Sequence, residues 1–333
     1  MSTPIVSLEN VEKRYGEFRA VDRLSFNVYE REIFGFLGPN GAGKTSTLRM
    51  LLDIIQPTAG RVAILGADSA ISVRHRIGYL PEERGLYRKM RAAETIAYFA
   101  RLRGVPAGTA RRRARELLEE FGLDAFAKSK NEALSKGMAQ KVQLLATLVH
   151  EPELLVLDEP FSGLDPINQQ LLETVIRKLR DDGRTVIFST HVMEHAERLC
   201  DRFLIIANGQ KRFEGTLDQA RDLFPPRLHI RTQDDVSVLQ NAPGIVKITR
   251  IEESAVQPHH QQGGPGTDSE TPLGGVEYTY ELELQRSADI QTILQIAFES
   301  GIRLTRFEQE RTSLHDIFVS LAGDQLSDEG QGS

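Results

Sequence analysis

Eight consecutive residues, Gly38-Pro39-Asn40-Gly41-Ala42-Gly43-Lys44-Thr45, restrict the possible folds more than any other stretch of this 333-residue chain. They match the glycine-rich phosphate loop, in which glycines let the backbone curl until successive N–H groups point at phosphate oxygens. Such a loop needs a strand before it and a helix after it. Residues 32–37 are a short apolar run that reads as a buried strand, and residues 46–52 continue as a helix with apolar residues on one face. The helix N-terminus adds the positive end of its dipole. Gly38, Pro39, Asn40, Gly41, Ala42, Gly43, Lys44, Thr45 and Ser46 are therefore the candidate nucleotide-binding residues. Lys44 is expected to reach the β- and γ-phosphates as a point charge, and the Thr45 hydroxyl to ligate Mg²⁺.

The pattern along the rest of the chain alternates strands and helices around that loop. Residues 5–11, 24–29, 61–65 and 76–82 read as strands. Tyr15, just upstream, is a candidate to stack on an adenine ring. From about 84 to 140 the pattern turns helical, an insert within an α/β domain. The run Arg111-Arg112-Arg113 in it reads as a solvated helix face, because Glu116, Glu119 and Glu120 follow at salt-bridge spacing. The stretch 134–140 leads into a helix expected over 141–150.

Residues 154–157 are four apolar residues followed by Asp158 and Glu159, so two carboxylates emerge at the C-terminal edge of a buried strand, where α/β sheets place ligands. Asp158 is placed to hold the Mg²⁺ that bridges the phosphates, and Glu159 to act as general base on the attacking water. Asp165 before Pro166 is a helix N-cap. A buried strand over 184–190 delivers His191, a candidate γ-phosphate sensor. Asn208-Gly209 between two apolar runs signals a hairpin. The nucleotide-binding unit is expected to span 1–224.

The remainder, 225–333, reads as a small α+β domain. Strands are expected at 228–232, 245–251, 276–283 and 302–307 and helices at 289–300 and 313–321, in the split βαβ order of ferredoxin-like units. Between its second and third strands, 257–275 is rich in Gly, Pro, Gln and His and is expected to be a disordered loop, with His259-His260 as solvated residues rather than metal ligands. The tail after Gly323 is expected to fray.

Composition narrows the function classes. A net charge of −6 argues against nucleic acid as the main partner, and the lone Cys200 cannot build a disulfide framework. No apolar run reaches the length of a bilayer span and the N-terminus has no signal-peptide pattern, so the chain is expected in the cytosol, free or bound to something.

Five stretches in a fixed order, namely the phosphate loop, Leu134-Ser135-Lys136-Gly137-Met138, Asp158-Glu159, Ser162-Gly163-Leu164-Asp165 and His191, make the chain resemble the ATP-binding subunit of an ABC transporter over roughly residues 4–220. The resemblance implies an α/β phosphate-loop NTPase fold, ATP hydrolysis assisted by Mg²⁺, and head-to-tail pairing with a second nucleotide-binding domain, either a copy or a paralogue. It also implies that Ser135 and Gly137 meet the γ-phosphate of ATP held by the partner, that Asp165 belongs to the nucleotide site, that Tyr15 is the adenine-stacking aromatic and His191 the switch histidine. A separate integral membrane permease would hold the chain at the cytoplasmic face of the cell membrane.

Two departures from the common pattern stand out. Lys136 and Met138 replace the usual Gly and Gln, and Glu82 stands where a glutamine couples the Mg²⁺ site to the insert. Both resemble the sodium-extrusion (NatA-type) and related export branch with a C-terminal accessory domain, as do Leu314-His315-Asp316-Ile317-Phe318. Chromosome- or repair-type ABC ATPases would carry a long coiled-coil insertion, and translation-factor types two nucleotide domains; neither pattern is present. A soluble ABC-type ATPase acting as a regulatory or assembly module is the remaining alternative.

Overall fold

The computed structural model describes residues 3–83, 85–255 and 276–323. The chain starts with two long antiparallel strands, β1 (Val6–Tyr15) and β2 (Phe18–Val28), and then β3 (Ile33–Leu37), the phosphate loop and α1 (Lys44–Leu51). Next come β4 (Ala59–Ile64), a one-turn α2 (Ala70–Val73) and β5 (Ile77–Leu80). The insert holds α3 (Ala92–Leu102) and α4 (Ala107–Glu120), and α5 (Lys136–Leu148) returns from it. β6 (Leu154–Asp158), α6 (Pro166–Asp181), β7 (Thr185–Thr190), α7 (Met193–Leu199), β8 (Arg202–Ala207), β9 (Gln210–Gly215) and a short α8 (Leu217–Arg221) follow.

Two sheets share the work of this first part. β2-β1-β4 form an antiparallel sheet, and β5-β6-β7-β3-β8-β9 a larger one, parallel except for the last pair. The central strands are buried on both faces, which is why they read as unbroken apolar runs. Alternate residues serve opposite cores. Phe34, Phe36, Val156 and Ile187 join α1 and the small sheet on one side. Ile33, Leu155, Leu157, Val186 and Phe188 meet α5, α6 and α7 on the other. Each fully buried Phe or Leu contributes about 1.5–3 kcal/mol to this assembly. The insert has its own core, in which the small side chains Ala97, Ala100, Ala110 and Ala114 bring α3 and α4 together.

Hydrogen-bonded turns fix the strand ends. Asn208 and Gly209 both take positive φ, 51° and 72°, the conformation a two-residue hairpin demands. Strand β1 runs through Tyr15, farther than the alternation of 5–11 indicates, because the exposed pairs Arg14↔Arg19 and Tyr15↔Phe18 extend the ladder beyond the core.

The second part contains β10 (Arg227–Thr232), β11 (Ile245–Ala255), β12 (Val276–Leu284), α9 (Ile290–Glu299) and β13 (Leu304–Glu310), before the last helix α10 (Leu314–Ala322). Its strands lie in the order β11-β12-β10-β13, antiparallel throughout, the split βαβ order expected, with a 3-10 turn at Ser237–Asn241 where the first crossover helix would be. One face packs Leu228, Ile230 and Leu282 against Ile293 and Ala297 of α9. The other face is polar and laced with ion pairs, such as His229 Nε2 to Glu310 at 3.1 Å.

Contacts divide the chain into Met1–Leu217 with Leu314–Ser333, and Asp218–Ser313. By contacts the first unit ends at 217, where the sequence reading set 224, and α10, expected in the second domain, packs against α7, β8 and β9 of the first unit. Its Leu314 and Ile317 are wholly buried there, and the Leu314 N–H donates to Glu197 at 3.4 Å. An amphipathic stretch shows that it must be covered, not by what. The expected loop at 257–275, with His259 and His260, and the tail beyond Gly323 lie outside the described residues.

Candidate functional site

The phosphate loop begins where β3 ends and is clamped from three sides. Gly38 lies so close to β8 that a Cβ would sit 2.5 Å from the Ile206 carbonyl, and Gly43, at φ 101°, would meet the Ala20 carbonyl of β2 at 2.4 Å. Only glycine fits at either position. The Gly209 N–H donates to the Ala42 carbonyl at 3.1 Å, so the β8–β9 hairpin holds the loop as well. Gly43 is the N-cap of α1 without a side-chain cap, and the first intrahelical bond runs from Thr47 N–H to Gly43 O at 3.0 Å. The N–H groups of Gly43, Lys44, Thr45 and Ser46 therefore have no intrahelical acceptor and are available to an anion.

Lys44 is buried and bends back over this loop. Its Nζ donates to the carbonyls of Gly38 at 2.8 Å and Pro39 at 3.1 Å. It also lies 3.3 Å from Glu159 Oε1, at ion-pair distance but without hydrogen-bond alignment, so that oxygen is buried with no hydrogen-bond partner among the described residues. Glu159 sits in the left-handed region at φ 48°, directly after β6. Its second oxygen, Oε2, is 3.0 Å from His191 Nδ1, and the His191 ring is half exposed. Lys44, Glu159 and His191, named independently from sequence, form one connected line.

Asp158 lies beside it. Its Oδ1 accepts from Thr45 Oγ1 at 3.3 Å and from Ser189 Oγ at 2.6 Å, while Oδ2 is buried without a partner among the described residues. A buried carboxylate oxygen with no partner is expensive unless a cation completes it. The set of Asp158 Oδ2, Thr45 Oγ1 and a second carboxylate is the oxygen-rich donor set that suits Mg²⁺. Glu82 is exposed and lines a cavity of about 330 Å³ that also holds Asp158 and Glu159.

Ser189 also belongs to this cluster, and sequence reasoning missed it. Besides Asp158 it serves Glu159, whose N–H donates to its Oγ at 3.0 Å. A hydroxyl inside a buried strand, two residues before the candidate histidine, was the available signal, and the parallel register Asp158↔Ser189 explains it. Gln140 and Gln143 were missed too. They tie α5 to the loops after β6 and β5, through Gln140 Nε2 to Pro160 O at 2.9 Å and Gln143 Nε2 to Glu83 O at 3.3 Å.

The remaining candidates sit apart from this line. Ser135 caps α5, its Oγ accepting from the Met138 N–H at 3.3 Å. Helix α5 thus begins at Lys136, not at 141 as the sequence suggested: a glycine and a cap serine look like loop residues, yet here they form its first turn. Gly137 is half-buried within that turn. Asp165 caps α6, accepting from the Asn168 N–H at 2.9 Å and its side-chain amide at 2.6 Å. The Asn168 N–H holds its carboxyl below the ordinary range. Tyr15 is half exposed at the end of β1 with Lys13 Nζ 5.2 Å from its ring centre, on the hairpin whose Ala20 packs against Gly43.

Comparison with known proteins agrees with this geometry. Residues 21–162 match the family described as ABC transporter, and residues 215–322 the C-terminal domain of ATP-binding proteins of the DrrA1-3 type. The ABC transporter ATP-binding protein YhaQ of Bacillus subtilis is 36% identical over 320 residues, covering 96% of this chain and 99% of that one. The Nod factor export ATP-binding protein I of Ralstonia nicotianae is 43% identical over 217 residues, covering 64% and 68%. A solved ATP-binding subunit of an ABC transporter superposes with a TM-score of 0.62 at 32% identity, over 66% of this chain and 92% of the other. A phosphate loop with open amides, a buried carboxylate pair beside it and relatedness along nearly the whole length lead to one conclusion: the chain belongs to the ATP-binding subunits of ABC transporters, and is an ATPase.

Proposed function

We propose that the chain powers a separate integral membrane permease, as an exporter, through ATP-driven pairing of two nucleotide-binding units, and that Glu159 is the general base. The observation that carries this reading is the line Lys44–Glu159–His191 beside the half-satisfied Asp158. Lys44 is within reach of both the loop and Glu159. Phosphates arriving on the loop compete for its ammonium, and Glu159 is freed to take a proton from water. His191 orients the carboxylate through Oε2, and its Nε2 has no partner among the described residues and is open to the γ-phosphate. Asp158, Thr45 and Glu82 would hold Mg²⁺, which supplies charge neutralisation at the β- and γ-oxygens. Ser135 and Gly137 would close the site of a partner, and Asp165, as cap of α6, would shape the loop between them. Tyr15 would stack on the adenine.

A docking surface for the permease fits the groove beside the insert. Two cavities of about 270 and 190 Å³ share Tyr79 and Arg103, and exposed Ile54, Ile71, Tyr87 and Leu102 lie on the same segments. Exposed apolar residues around a groove suit an apolar helix of a partner. No helix among the described residues is long and apolar enough to cross a membrane. The membrane attachment proposed is peripheral, through the permease, on the cytoplasmic face. Export is supported by the Nod factor export relative.

Replacing Glu159→Gln tests the base. Turnover is expected to fall about a hundredfold or more while ATP still binds and holds two chains together; hydrolysis near the parental rate rejects the assignment. Glu82→Gln tests the metal role: the Mg²⁺ concentration for half-maximal hydrolysis should rise about tenfold, equivalent to about 1.4 kcal/mol. Overlapping titrations would remove Glu82 from the site. The permease itself is sought by purifying the chain from membranes, with recovery of no membrane protein counting against transport.

A further inference from the structure

The helical insert carries a further cavity, of about 480 Å³, apart from the residues placed in ATP hydrolysis. Helix α3, helix α4 and the loop after α4 line it together. Five of its lining residues are cationic, Arg91, Arg101, Arg111, Arg115 and Lys128, and only Glu94 is acidic. Glu94 already accepts from the Arg91 N–H at 3.4 Å. Among the described residues none of the five cations makes an ion pair, although their neighbours do: Arg112 pairs with Glu116 at 3.5 Å and Arg113 with Glu151 at 2.7 Å. The triple arginine run, read from sequence as one solvated face, is thus split, with Arg111 turned to the cavity.

The cause is helical geometry. Ala110 and Ala114 are fully buried against α3, so Arg111 and Arg115, each one position on, fall together on the flank of the contact. Glu94, Ala97, Tyr98 and Arg101 stand at matching positions on α3. Like charges one turn apart repel, and among the described residues no ion pair relieves them. An anion with several charges would.

We propose that this cavity binds the phosphate headgroups of anionic phospholipids and seats the insert on the membrane surface. The inference rests on the peripheral membrane reading above. Helix α3 also contributes Phe99, and Arg103 at its C-cap, to the groove proposed for the permease, so one helix serves both surfaces. Five cations spread over a wide opening suit an array of phosphates better than a single free one, and Met90 and Tyr98 add the apolar and amphipathic lining found at headgroup depth. The chain as a whole carries −6, so general attraction to an anionic surface is absent and binding must be local.

Cosedimentation of the full chain with phosphatidylcholine vesicles, with and without phosphatidylglycerol, tests this. Binding is expected only with phosphatidylglycerol, and should weaken as salt is added. The variant Arg101→Gln/Arg111→Gln/Arg115→Gln should bind about tenfold or more weakly. Arg61→Gln/Arg112→Gln/Arg180→Gln, with the same change in charge at paired surface sites, should bind as the parent does. Equal ATPase rates in solution establish that both variants are folded. Binding to both vesicle types alike, or parental binding by the cavity variant, overturns the proposal. Displacement from vesicles by inorganic phosphate, beyond that by sodium chloride at equal ionic strength, also overturns it and assigns the cavity to a soluble phosphate. Should vesicle binding fail while a permease still co-purifies, only this inference falls; if lipid binding stands and no permease is recovered, the transport reading falls instead.

Discussion

Helices α1 and α5 both begin at residues with functional assignments, yet their N-termini are built in opposite ways. At α1 the N-cap is a glycine and its first amides are left open. At α5 the N-cap is Ser135, whose hydroxyl accepts from Met138 N–H at a long 3.3 Å. Among the described residues no side chain caps the first end, which leaves its amides to a ligand. The second is satisfied by its own side chain, weakly, so an anion there must displace an existing bond. That asymmetry supports the proposed order, in which nucleotide would bind first at α1 and α5 would engage only a nucleotide presented by another unit.

The strongest way to break the comparison is to give α1 a cap of its own. Gly43→Ser would put a side chain into the Ala20 carbonyl at a φ of 101°, a conformation costing about 1–3 kcal/mol. Thermal unfolding should shift down by several degrees and ATP affinity fall about tenfold or more; unchanged affinity by nucleotide titration would show that the open amides do not bind phosphate.

Substitutions at α5 sharpen it. Ser135→Ala removes a cap and should cost about 0.5–1 kcal/mol in denaturant unfolding. Ser135→Asp restores the cap but faces an incoming phosphate with negative charge. Stability should therefore return in Ser135→Asp while ATPase activity falls below that of Ser135→Ala. If activity followed stability across the two, Ser135 would be a cap and nothing more.

The smallest effect is expected at α6, a third helix start, where Asp165 supplies a charged cap. Its carboxyl titrates below its ordinary value, chiefly through the Asn168 N–H, so the folded state holds fewer protons there than the unfolded chain. Stability rises with pH over that window, is fully present above the ordinary carboxylate range, and fades as pH falls through it. Asp165→Ser keeps a cap that does not ionise, and should flatten this part of the unfolding-versus-pH curve. A curve identical to the parent would locate the dependence elsewhere.

What the sequence disclosed follows the range of the interactions involved. Phosphate-loop residues are contiguous, and their strand and helix flanks have their own periodicity, so loop, order and carboxylate pair were all legible. The line from Lys44 through Glu159 to His191 joins the start of α1 to the ends of β6 and β7, and only the parallel register of β3, β6 and β7 brings them together. Ser189 was hidden for the same reason, since its use depends on which strand lies beside it. The start of α5 was misplaced because Ser135 and Gly137 carry weak helix propensity and the cap bond that compensates is a three-dimensional fact. Nothing in residues 314–322 says which core they cover.

That last helix has a consequence for the order in which the molecule is made. Residues Asp218–Ser313 interrupt the first unit, whose α7, β8 and β9 wait for Leu314, Ile317 and Phe318 until those intervening residues have left the ribosome. Until then their apolar surface is open to water or to other chains, as in any domain completed late. Closing so long a loop adds little entropy cost beyond that of a short one, because the cost grows only with the logarithm of length. The delay is thus one of synthesis rather than of thermodynamics, and chains released before α10 would expose an apolar patch that intact ones do not.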